Sequence, residues 1–370
     1  MRRAMAVLVK EEAGLLFGLL TLVCFLAFGR GWLTNLFGTI LPTLLFCWLF
    51  LTMLWLSFGV VRHADCLAIR LGEPYGTLIL TIAVISIEVV MITAVMLTGS
   101  QNPTLGRDMM FAVLMIVLNG LIGISLFCGG LRHLEQAHNL QGANTFLVVL
   151  IPLAVFSLFL PNFTISTEAG TYSTLQMIFG ILASVALYGT FLAIQTMRHQ
   201  GFFRISGDDL EEGHGHGMLT VRSVTYHVFL LLFTMLPIVL LSKRMAGIID
   251  YTIAALDFPV ALGGVLIAVL VLAPEGVAAI KAAVSDRLQR SVNICLGSAL
   301  ATIGLTVPAV LLISLYTGNR LILGLEPVES VLLVSTLAVS IMTFSSSKTN
   351  IIHGMVHLIL FCAYLVMIFD

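Results

Sequence analysis

Stretches of about 20 residues that are almost free of charge recur along the whole chain, at roughly 13–29, 36–60, 76–98, 109–131, 145–161, 174–196, 223–242, 257–280, 291–316, 327–344 and 351–369. A run of that length, at about 1.5 Å per residue, matches the ~30 Å hydrocarbon layer of a bilayer. Backbone N–H and C=O groups in hydrocarbon must be satisfied within their own segment, so each run is expected to be an α-helix. The chain is therefore expected to be an all-α polytopic membrane protein with about eleven transmembrane helices. Composition leaves no competing class, since 59% of residues are hydrophobic and 10% charged, against about 25% charged in soluble domains. With 18 basic and 19 acidic residues and no basic stripe, a nucleic-acid surface is excluded. The six cysteines are scattered singly, which is neither a disulfide framework nor a zinc pattern.

Arg2, Arg3 and Lys10 precede the first run as they would in a signal peptide. No small-residue cleavage site comes after it and further spans do, so this run is expected to be a retained first helix. Threading the runs back and forth puts 13 of the 18 Lys and Arg residues on the side of the N-terminus and 5 on the other. Positive charge is retained on the cytoplasmic side, so the N-terminus is expected inside and the C-terminus outside.

The long loop 197–222 divides the chain beyond the first helix into two sets of five spans. The expected organisation is an N-terminal helix (1–35), a first five-helix repeat (36–196), a cytoplasmic acidic and histidine-bearing loop (197–222) and a second five-helix repeat (223–370). Because five is odd, the second set must enter the membrane with opposite orientation, the arithmetic of an inverted repeat. The segments GTLILTIAVISIE (76–88) and GGVLIAVLVLAPE (263–275) each carry a glycine twelve residues before a glutamate, at an offset of 187.

Those glutamates, Glu88 and Glu275, each lie inside an otherwise uncharged run. An ionised carboxylate in hydrocarbon costs at least ~2.5 kcal/mol, so such a residue is expected to have both a partner and a function. Thr81 and Thr77 fall two and three turns before Glu88 on the same helical face. Pro274 and Gly276 flank Glu275; proline removes an intrahelical hydrogen bond and frees a carbonyl beside the acid. Carboxylates with freed carbonyls suit a hard cation, which takes oxygen ligands. Ser298, Thr302 and Thr306 recur at four-residue spacing, and Asn119 and Ser125 lie in the 109–131 run. Their hydroxyls and amides could complete an ion's shell, or could bind helices together, as Gly297, Ala301 and Gly304 also suggest by permitting close approach. Glu73, in Gly72-Glu73-Pro74, is expected at a helix entrance, as a cap or as a relay for entering ions. The segment 208–216, with Asp208, Asp209, Glu211, Glu212, His214 and His216 among three glycines, reads as a solvated spacer, with a calcium or pH sensor as the alternative. His353 and His357 share a face at four-residue spacing and are expected to pack at the interface.

The segments VRHADCLAIRLGEPYGTLIL (61–80), VLAPEGVAAIKAAVSDRLQRSVN (271–293) and LGSALATIGLTVP (296–308), with the run ending at Glu88, carry a resemblance over nearly the whole chain. It resembles the calcium/proton antiporters of the cation-exchanger group in the calcium:cation antiporter superfamily, and most closely their bacterial branch that also handles sodium or potassium. What the resemblance implies is a pair of inverted five-helix repeats, each giving one essential glutamate to a midplane site occupied alternately by a cation or by protons. The matching residues are Glu88 and Glu275, and Ser298 matches a Gly-Ser of the second repeat. The chain departs from the pattern where Val84-Ile85 and Val271-Leu272 stand in place of Gly-Asn pairs.

The resulting expectation is a transporter, not an enzyme. It would export calcium, with sodium or potassium as the alternative, in exchange for protons across the bacterial inner membrane. Its partners would be inorganic cations, protons and the lipid bilayer, and it would need no cofactor. A cation channel is a weaker reading because it usually needs subunit symmetry around a continuous pore. An intramembrane metalloenzyme lacks a His-Glu-x-x-His or comparable ligand set.

Overall fold

The computed structural model describes residues 11–34, 40–71, 82–83, 85–90, 92–93, 103–203 and 221–369. Apart from two three-residue strands and short turns, these form helices. The longer ones are α1 (Ala13–Ala27), α2 (Ile40–Leu71), α3 (Leu105–His133), α4 (Leu140–Phe163), α5 (Thr174–Arg198), α6 (Val224–Leu256), α7 (Ala261–Val284), α8 (Leu288–Thr317), α9 (Pro327–Thr343) and α10 (Ile351–Met367). Among the described residues seven of these, α2 to α8, are long and apolar enough to cross a membrane, and α1, α9 and α10 are shorter apolar helices. Of the expected run 76–98, the described residues between 82 and 93 are helical.

Helix starts follow local chemistry. Ser173 caps α5 through the backbone N–H of Gln176, whose side chain returns a bond to the Ser173 N–H. Ser223 caps α6 by accepting from the Tyr226 N–H, Asn350 caps α10 and donates its own N–H back to the His353 side chain, and Pro327 opens α9. Helix ends depart furthest from the apolar runs in two places. α2 continues through Arg62 and Arg70 to Leu71, and α6 through Lys243 and Arg244 to Leu256. Backbone hydrogen bonds carry a helix past the hydrocarbon edge, because charged side chains are no obstacle once they reach water or ion-pair partners.

The described chain divides into two compact units, Met1–Asn102 with Leu219–Pro274, and Pro103–Met218 with Glu275–Asp370. In the first, α2 and α6 pack along much of their length. Buried positions recur every three or four residues on both, at Leu49, Met53, Leu56 and Val60 and at Leu231, Thr234, Ile238 and Leu241, the spacing of a helix–helix seam. α1 joins them through Gly18, where an added Cβ would lie 2.6 Å from Leu56. Trp48 donates to Thr21 at 3.1 Å beside the buried Phe25.

In the second unit α3 is the most enclosed of the long helices and α5 the least. Leu175, Phe179, Leu182 and Val185 form an exposed apolar stripe on α5, as expected of a lipid-facing helix. α10 crosses α3 with almost no space between backbones: an added Cβ on Gly354 would lie 2.4 Å from the Phe127 nitrogen. The strands β1 (Glu135–Ala137) and β2 (Lys348–Asn350) pair antiparallel and tie the segment after α3 to the start of α10.

Candidate cation site

α7 runs unbroken through Pro274, whose missing N–H withdraws the partner that the Leu270 carbonyl would otherwise have. Glu275 comes next, half-buried, and the Ser298 hydroxyl of α8 donates to its Oε2 at 2.6 Å. That is the length of a charge-assisted O–H···O bond. Gly276 lets α7 approach α3 directly after the acid, since a Cβ there would fall 2.7 Å from Leu121. Because the serine donates its only proton to Oε2, its oxygen lone pairs remain available to a cation.

One turn beyond Ser298, Thr302 is 1% exposed and opens a π-helical turn, Thr302–Thr306, within α8. α3 has its own π-helical stretch, Met115–Leu121, which contains Asn119. Such wide turns interrupt the ordinary hydrogen-bond ladder and are frequent at functional sites. Asn119 is completely buried. Its Nδ2 donates to Thr336 Oγ1 at 2.7 Å, its Oδ1 lies 3.1 Å from His357 Nδ1, and His357 Nε2 lies 3.0 Å from Thr343 Oγ1. A neutral imidazole satisfies both contacts, with Nδ1–H donating to Asn119 and Nε2 accepting from Thr343.

In the other unit Glu88 is 2% exposed on a helical segment whose neighbours Ile85, Ile87 and Ile92 are also buried. Thr81, Thr77 and Glu73 lie outside the described residues, as do Val84 and the loop 208–216. Of the expected site residues, the structure therefore joins Glu275 to Ser298, buries Thr302 next along α8, and engages Asn119 in a separate polar chain. That chain was not foreseen from sequence. His357, expected at the interface, is fully enclosed instead, because Gly354 one turn earlier draws α10 against α3. The available signal was a histidine three residues after a glycine in an otherwise apolar helix, opposite a helix with a lone asparagine. His353 stays near the helix start, where its Nδ1 accepts from the Asn350 N–H at 3.2 Å.

The sodium/calcium exchanger protein family model matches residues 41–197 and 226–369. The chain is 42% identical over 315 residues to the sodium-potassium/proton antiporter ChaA of Escherichia coli (strain K12), covering 85% of each protein. Its fold is similar to that of native YfkE, with a TM-score of 0.71 at 17% identity over 96% of this chain and 99% of that one. It is also similar to the H+/Ca2+ exchanger CAX, with a TM-score of 0.69 at 17% identity over 96% of this chain and 88% of that one. This chain is a transporter and belongs to the sodium/calcium exchanger family of antiporters.

Proposed function

We propose that the protein is a secondary antiporter that exports a cation in exchange for protons, with Glu88 and Glu275 as the exchanging carboxylates. The observation that carries this reading is the hydrogen bond from Ser298 of α8 to Glu275, a carboxylate within the apolar helix α7, together with the burial of Glu88 in a second apolar segment. Burial favours the protonated acid, and a cation's charge favours the ionised one, so proton and cation exclude each other at the same oxygens. Ser298 and Thr302 would supply hydroxyl oxygens, Asn119 an amide, and Thr81 a further hydroxyl; Glu73 would serve the entrance.

An inverted five-plus-five helix repeat underlies the proposal. α2 and α6 begin 184 residues apart, α4 and α9 begin 187 apart, and the π-helical turns at Met115 and Thr302 also begin 187 apart. The last value equals the Glu88–Glu275 offset. The proposed orientation, N-terminus cytoplasmic in the bacterial inner membrane, rests on the distribution of Lys and Arg.

Calcium suits the oxygen-only donors. Sodium or potassium is favoured by the 42% identical relative that is named for those ions, and by Val84-Ile85 and Val271-Leu272, which offer no side-chain oxygen. Everted vesicles with an imposed pH gradient, challenged in parallel with calcium, sodium, potassium and magnesium, decide between the cations. Glu88→Gln and Glu275→Gln are each expected to abolish exchange while inserting normally. Full activity in either variant would remove that residue from the mechanism.

A further inference from the structure

Within the unit built on α2 and α6, a polar cluster lies where α1 and α6 begin and α2 passes. His63 is 1% exposed and His227 3%. Their Nδ1 atoms are 3.1 Å apart, His63 Nε2 is 3.2 Å from Glu12 Oε2, and the Arg222 backbone N–H donates to His227 Nε2 at 2.9 Å.

These contacts fix where the protons are. His227 Nε2 accepts from a backbone N–H, so in a neutral ring its proton is on Nδ1. That Nδ1–H can then only donate to His63 Nδ1, which places the His63 proton on Nε2, aimed at Glu12. The result is a one-way chain from the Arg222 N–H through His227 and His63 to Glu12, complete only while both imidazoles are neutral. The 3.3 Å approach of Arg62 Nη2 to His63 Nε2 is that of two donors sharing Glu12 Oε2.

The other charged groups facing the chain are Arg62 from α2, and Glu11, Arg222 and the Tyr226 hydroxyl around the starts of α1 and α6. Arg62 pairs with Glu12 at 2.6 Å, Arg222 with Glu11 at 2.8 Å, and Tyr226 donates to Glu12 at 3.0 Å. Burial pushes the Glu12 carboxyl up, but the hydrogen bond from His63, the Arg62 and His63 charges and the Tyr226 hydroxyl outweigh it and hold Glu12 at about 2. Glu12 therefore stays ionised wherever imidazoles titrate, and an added proton goes to a ring.

We propose that the Arg222–His227–His63–Glu12 chain is a proton-operated latch that releases the start of α6 when its face of the protein is acidified. A proton taken up on His63 Nδ1 strengthens the His63–Glu12 pair and turns the His63–His227 contact into two opposed donors. If His227 shifts its own proton to Nε2 to relieve that clash, it then opposes the Arg222 N–H. In either case a bond at His227 is lost while the bond to Glu12 is kept. The latch goes beyond the exchange reaction, and it would survive failure of the two-glutamate reading.

The test is amide hydrogen exchange of the full-length protein in lipid nanodiscs between pH 7.5 and pH 5.5, with the intrinsic pH dependence of exchange divided out. Protection of a peptide covering 221–228 is expected to fall about tenfold or more on acidification, while 11–16 holds. A double variant, His63→Gln with His227→Gln, can donate and accept in the same directions but cannot take up a proton, so its protection should not change with pH. Unchanged protection at 221–228 in the wild-type protein would overturn the latch whether or not the variant folds. So would a double variant that tracks the wild-type pH response.

Discussion

Gly354→Ala probes how closely the α3–α10 crossing controls the polar chain at Asn119. The new Cβ would meet the Phe127 nitrogen at 2.4 Å, its Cα at 2.8 Å and the Gly123 carbonyl oxygen at 2.9 Å. All three are backbone atoms that no rotamer change can move, so α10 would have to retreat by about 1 Å to reach ordinary contact. His357 lies one turn along α10, 3.1 Å from Asn119, and the same retreat would stretch that contact beyond hydrogen-bond reach. Overpacking costs about 1–3 kcal/mol, and a buried polar group left without its bond about 1–3 kcal/mol more. Gly189→Ala on α5 is the control. Nothing lies within 4 Å of its added Cβ, so only the helix-propensity gain of roughly 0.5–1 kcal/mol should remain. Thermal unfolding of the detergent-solubilised protein, monitored by intrinsic fluorescence, should place Gly354→Ala about 3–8 °C below wild type and Gly189→Ala at or slightly above it. Two variants with the same midpoint would refute the reasoning, because the substitution is chemically identical and only the packing differs.

Removing the Ser298 hydroxyl should weaken cation binding more than folding: Ser298→Ala loses a bond to a charged acceptor worth about 1.5–3 kcal/mol, so the half-saturating cation concentration in vesicle exchange should rise ~10- to 100-fold. Ser298→Thr keeps the donor and should stay close to wild type, and an unaffected alanine variant would remove Ser298 from the site. His138, between β1 and α4, is 4% exposed, and burial together with the nearby His353 pushes it down to about 4. The unfolded chain therefore binds this proton more readily, and stability from the neutral ring is present above about pH 6.5 and lost as pH falls towards 4. The loss amounts to roughly 3 kcal/mol at most. His138→Leu should flatten that part of the acid-stability curve measured by thermal unfolding, and an unchanged curve would assign the acid sensitivity to other groups.

Sequence periodicity located the helices well because a bilayer imposes one length on every apolar run. The starts at 174, 327 and 351 coincide with the expected ones because Ser173, Pro327 and Asn350 are local signals. The ends of α2 and α6 were not legible, since hydropathy marks the hydrocarbon boundary and not the helix, and both helices continue as charged turns. Glu275 stood out because a carboxylate in an apolar run is itself anomalous, and the structure joins it to Ser298 by a hydrogen bond. Asn119 was singled out too, but the polar chain it joins was not, because its partners Thr336 and His357, and Thr343 beyond His357, stand more than 200 residues away in sequence.

The sequence alone determined the helical class, since hydrocarbon permits little else, and it singled out the two acids, since their burial needs a reason. Only the tertiary structure decided which helices belong together. One unit takes α1, α2, the residues around Glu88, α6 and the first part of α7, while the other takes the remaining helices from both halves of the chain. It likewise decided that Glu12, His63 and His227 form one chain, that Gly354 brings two backbones into contact, and that His357 is buried. Each of these depends on pairs of residues distant in sequence, and hydropathy and periodicity describe a helix one at a time.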